Sequence, residues 1–201
     1  QNELTGSGKG TDLYFTNLRQ WMELTIRRPG FRYNVTQVCV NLYNYRVASQ
    51  DDFRWQISTA AAMGAKAINW FYPDMSSAVQ GCAQNYRNAP INMFGERTQT
   101  FEWMSTENRL FQRQYGSEFM RLSIESAAIA GKSLGGLREF RGDADVVKVV
   151  SPDPVLVSFF RDAEGEVQLL ENYSYVITLF KEEKVKEFTV SEDLELYMIL
   201  S

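Results

Sequence analysis

An α/β segment followed by an antiparallel β region is the fold class this 201-residue chain predicts, and three observations point to it. Two apolar runs, Val35–Leu42 and Ala65–Tyr72, flank a helical pattern with short connections. After Leu122 the helical periodicity stops, and short apolar runs recur with turn residues between them. The charge balance shifts at the same place: residues 1–122 carry 13 Lys/Arg and 10 Asp/Glu, residues 123–201 carry 8 and 15. The chain therefore divides into a lead-in (1–11), an α/β part (12–122) and a β part (123–201).

The elements follow in order. Residues 1–10 are polar and Gly-rich. Gly6-Ser7-Gly8-Lys9-Gly10 has the look of a phosphate loop, but Gly follows the Lys and no strand precedes it, so a solvated lead-in is expected. A helix is predicted over Asp12–Arg27, capped by Thr11 or Asp12, with Tyr14, Leu18, Trp21, Met22 and Thr25 on its apolar stripe. Arg28-Pro29-Gly30 ends it. Val35–Leu42 is nearly continuous in apolar character, which suits a strand covered on both faces. Ser49 caps a second helix, with Asp52 in a near-capping-box position and Gly64 just past its end.

Ala65–Tyr72 is the next strand. A strand–helix–strand run with short connections makes a βαβ unit, so its strands should be parallel. A long polar loop is expected from Pro73 to Glu96, then a third helix over Thr98–Tyr115 with Met104, Asn108, Phe111 and Tyr115 on one stripe. Seven short runs between Glu125 and Leu200 then predict an antiparallel sandwich or sheet, with hairpin loops at Arg161–Gly165 and Lys181–Lys184.

Composition narrows the function. A net charge of −4 argues against a general nucleic-acid binder. No stretch approaches the roughly 20 apolar residues that cross a bilayer. Histidine is absent, which removes His-based triads and most zinc sites, so no metal or cofactor is expected. Cys39 and Cys82 are too few for a disulfide framework, and Cys39 sits in an apolar run as a core thiol would. Arg141-Gly142-Asp143 spells a cell-adhesion tripeptide, but a charged turn is the expected reading. Asn34-Val35-Thr36 and Asn172-Tyr173-Ser174 match the glycosylation acceptor pattern.

Three stretches together resemble a known family. Phe53-Arg54-Trp55-Gln56-Ile57 followed by AAAMGAKAINW (60–70) and Phe71-Tyr72-Pro73 is similar to the seventh helix and eighth strand of retaining glycoside hydrolase barrels. The likeness is to the beta-galactosidase-like glycosidases of gut bacteria. PINMFGERTQTFEWMSTEN (90–108) resembles their post-barrel segment, and VLVSFFRDAEGEVQLLENYS (155–174) their small C-terminal sheet.

The resemblance implies the last strands and helices of a (β/α)8 TIM-type barrel followed by a small antiparallel β-domain. It further implies an oligo- or polysaccharide ligand, and a periplasmic or extracellular bacterial setting. The remaining barrel strands would lie on another segment of the same chain or on another chain, since a barrel of this kind needs about eight strands.

Barrel enzymes carry their chemistry at the C-terminal ends of the strands. Those ends supply Asn41, Tyr43, Asn44, Tyr45 and Arg46 after the first strand, and Trp70 and Tyr72 at the second. Aromatic faces and hydrogen-bonding side chains suit a sugar, with its apolar C–H face and hydroxyl rim. The same aromatics could equally be barrel core. Retaining hydrolysis needs two carboxyls about 5 Å apart. In the resembled family the nucleophile is a Glu at the seventh strand end, where this chain reads Asn41-Leu42-Tyr43-Asn44, with no Glu.

Asp74 is the nearest candidate for a catalytic carboxylate; Asp51 and Asp52 sit where helix-start charges belong. Three expectations follow: part of a glycosidase, a non-catalytic carbohydrate-binding or accessory protein, or a stand-alone α+β domain.

Overall fold

The computed structural model describes residues 10–28, 33–37, 40–41, 48–71, 86–87, 89–131, 133–142, 149–150, 155–161, 167–171, 177–179, 188–189 and 197–199. Helix α1 spans Gly10–Arg27. Tyr14, Phe15, Leu18 and Met22 recur at helical spacing and are buried together. Trp21, expected on that stripe, is 55% exposed instead. At about 100° of rotation per residue, the buried face runs from Tyr14 round to Phe15, and Trp21 falls just outside its Tyr14 edge, toward exposed Leu13 and Leu24.

Strand β1 is Tyr33–Gln37 and pairs in parallel with β3, Ala67–Phe71, in the register Tyr33↔Ala67 to Gln37↔Phe71. The parallel pairing is the one a βαβ unit requires. The single strand predicted over Val35–Leu42 is divided, however. Gln37 uses the last residue of β3, and the next strand, β2 (Val40–Asn41), pairs antiparallel with β4 (Tyr86–Arg87). That pairing also places a short strand inside the region predicted as a polar loop.

Helix α2, Gln50–Ala62, links the two parallel strands. Ser49 caps it and Asp52 returns the bond to the Ser49 backbone at 2.7 Å, a complete capping box. Gly64 ends the turn with φ +88°, and a Cβ there would lie 2.6 Å from the Ile124 side chain. Glycine satisfies both the left-handed backbone and the close approach.

Helix α3 spans Gln99–Arg121, six residues past its predicted end. It runs through Gly116 because Phe119, beyond the glycine, is a core residue. That burial outweighs the roughly 1 kcal/mol an interior glycine costs a helix.

Strands β5 (Ser123–Ala130), β6 (Arg138–Glu139), β8 (Val155–Arg161), β9 (Val167–Glu171), β10 (Ile177–Leu179) and β12 (Tyr197–Ile199) form one sheet in the order β12-β10-β9-β8-β5-β6. Its central pairings are antiparallel, while β5–β6 and β10–β12 are parallel, so the described sheet is mixed. Two further short strands, β7 (Val149–Val150) and β11 (Phe188–Thr189), pair in parallel.

Val155 to Phe160 is buried at every position, as a strand covered on both faces must be. One hydrophobic core joins α1, the C-terminal ends of α2 and α3, and strands β5 and β8, with Phe15, Ile129, Leu156 and Phe160 fully enclosed. The core therefore crosses position 122.

Candidate functional site

Parallel register brings the ends of β1 and β3 to one rim, since Gln37 lies opposite Phe71. Of the predicted sugar-contacting residues, the described ones are Asn41 and Trp70. Asn41 lies in β2, opposite Tyr86, and Trp70 is the penultimate residue of β3. Tyr43, Asn44, Tyr45, Arg46, Tyr72 and Asp74 lie outside the described residues.

Trp70 turns toward the helices. Its ring meets Phe53 of α2 edge to face at 5.3 Å, and its indole Nε1–H donates to Asn108 Oδ1 of α3 at 3.3 Å. The indole is half-buried and packs as a wedge holding both helices over the strand pair. Strand alternation puts Asn69, which is exposed, on the opposite face from Ile68 and Trp70. Sequence reasoning singled out Trp70 and passed over Asn69, because a strand's two faces look alike until packing assigns one to the helices.

Beside Trp70 the two helices are clasped by a buried carboxylate. Glu107 of α3 is 4% exposed. It accepts from Arg54 Nε at 3.2 Å and Nη2 at 3.3 Å, and from Gln50 Nε2 at 2.6 Å. The forked guanidinium contact and the added amide supply the partners a carboxylate out of water requires. Arg54 and Gln50 sit one helical turn apart on α2, and that spacing was the available signal for a shared partner.

A groove of about 750 Å³ runs between α2, β3 and α3. Its apolar wall includes Ile57 and Ala61 of α2, Ile68 and Trp70 of β3, and Phe111 and Phe119 of α3. Lys66, just before β3, stands at one end. Its ammonium donates to the Phe119 and Leu122 carbonyls, where α3 ends, and lies 4.4 Å from the Phe119 ring centre. A cation at a helix C-terminus complements the dipole and fills acceptors that the helix leaves open. Burial pushes the Lys66 ammonium down to about 8. Burial also pushes the Tyr115 phenol, on the same helix, up to about 12.

Among the described residues no three His, Cys, Asp or Glu side chains gather as a metal site, and no helix is long and apolar enough to cross a membrane. Comparison with protein-family models, curated proteins and solved structures returned no match.

Proposed function

We propose that this chain is the closing portion of a (β/α)-barrel-type protein that binds oligo- or polysaccharide at the rim where β1 and β3 end. The observation that carries the reading is the parallel register of β1 and β3, with α2 between them in sequence and α3 following. On this reading the sequence after β1 offers Asn41, Tyr43, Asn44, Tyr45 and Arg46, and the sequence after β3 offers Tyr72 and Asp74. The β1–β3 sheet has only two strands among the described residues. An isolated pair is marginal in water. Further staves, from another segment or another chain, are the natural completion of the sheet.

Binding is the primary reading because residues 41–46 contain no Glu. Hydrolysis would then depend on carboxyls that the completing staves supply, with Asp74 as the acid this segment offers. The sugar-binding reading is independent of whether such a pair forms. A polymer or glycan in the periplasm or outside the cell is the corresponding ligand.

A glycan array and calorimetry with the 201-residue chain test it. Tyr72→Ala and Arg46→Ala should each weaken saccharide binding about five- to tenfold, the loss expected for one stacking or one charge-assisted contact. Retention of no glycan, or binding by both variants as tight as that of the parent chain, would remove the proposal.

A further inference from the structure

The groove over β3 combines three features that the saccharide reading does not use. Its walls are largely aliphatic and aromatic, and two cations, Lys66 and Arg113, line it without an acid among the described lining residues. Its volume, about 750 Å³, lies within the range of small-molecule sites. It also has direction. Along α3 it extends from Asn108 to Met120, about 18 Å of helix rise. Lys66 marks the end near the α3 C-terminus, and Trp70 lies about 13 Å further along the strand.

An ammonium has three N–H donors. Two of them, at Lys66, meet the Phe119 and Leu122 carbonyls, which leaves one directed donor for a ligand. Those carbonyls also carry the partial negative charge of the helix terminus, which repels a doubly charged group more than a singly charged one. Charge complementarity and shape together select a monoanion with an apolar body.

The geometry points to this groove as a binding site for an apolar carboxylate, its head at Lys66 and its tail laid along Ile68 and Phe111 toward Trp70. Gly116 and Ser117 keep the α3 wall low beside that path. A Cβ at Gly116 would meet only the Gln112 side chain at 3.8 Å, so the space beside it is open.

Titration calorimetry of the full chain with octanoate, 1-octanol and octyltrimethylammonium separates head from tail. Octanoate should bind at least about tenfold more tightly than the alcohol, the worth of one charge-assisted hydrogen bond. The cationic analogue should not bind. Lys66→Met should bring octanoate down to the affinity of the alcohol. That variant also removes the acceptors' partner at the end of α3, so a second one is needed that leaves this cap intact. Gly116→Leu fills the groove from a helix-favoured residue and should abolish octanoate binding while circular dichroism and Tm stay at or above those of the parent. Failure of octanoate to bind, equal affinity for all three head groups, or full affinity in Gly116→Leu would overturn the proposal.

Discussion

Two strands of similar apolar character, β3 and β8, end in opposite environments. β8 lies between β5 and β9, and all six residues from Val155 to Phe160 are buried. β3 pairs with β1 alone among the described strands; its residues 67, 68 and 70 are half-buried and Asn69 is exposed. An apolar run thus states that a strand is to be covered, but not what covers it. For β8 the cover is the chain's own helices and sheet neighbours. For β3 the helices cover one face incompletely and leave the groove. Function is therefore sought at β3, and stability at β8.

Substitutions at the two strands sharpen this contrast most. Phe160→Ala removes a fully enclosed ring that stacks edge to face on Phe119 at 5.6 Å. It should cost about 3–5 kcal/mol. Ile68→Ala, on the half-open wall of the groove, should cost less than about 2 kcal/mol, because water and neighbouring side chains can occupy the space. Urea unfolding of both variants measures the difference. Equal losses would mean that β3 is as enclosed as β8, and the groove would lose its standing as a site.

The clasp between α2 and α3 gives the next largest effect. Glu107 is buried while the Arg54 side chain is 40% exposed, so the pair is only partly withdrawn from water. Glu107→Ala leaves Arg54 and Gln50 without their shared acceptor and should cost about 1–3 kcal/mol. A double-mutant cycle with Arg54→Ala should return a coupling of about 1 kcal/mol, above the value usual for exposed ion pairs. A coupling near zero would show the two helices held by packing alone, with Trp70 and Phe53 as the joint.

What could be read from the chain follows from how local each determinant is. The start of α2 was legible because Ser49 and Asp52 form its cap within one turn. The parallel run of β1 and β3 followed from strand, helix and strand in close succession. The break after Gln37 was not legible, since it depends on where β3 ends and on Tyr86–Arg87, far along the chain. Trp21 was misplaced because an aromatic beside a buried methionine fits a coarse helical stripe.

The site divides the same way. Trp70 could be named as an aromatic at a strand end, but only its contacts with Phe53 and Asn108 assign its face. Glu107 and Lys66 escaped notice because their partners lie 53 to 57 residues away in sequence.

The smallest effect comes from two titrating groups, Lys66 beside β3 and Tyr115 on α3. Lys66 has its folded value lowered from 10.5 to about 8 by burial. Between these two pH values the folded chain binds fewer protons than the unfolded one, so stability rises with pH across that window. Tyr115 acts in the opposite sense. Burial raises it from 10.0 to about 12, the folded chain binds more protons over that range, and stability falls as pH climbs through it.

Stability should therefore increase from about pH 8 to about pH 10, where the fall from Tyr115 begins to offset it. Each slope should stay below the about 1.4 kcal/mol per pH unit of one whole proton, since Lys66 is only half-buried and solvent screens it. Chemical denaturation at stepped pH reads both limbs. Lys66→Met should flatten the rise and Tyr115→Phe the fall. A rise that survives in Lys66→Met would assign it to another group and leave the ammonium at the end of α3 ordinary in its titration.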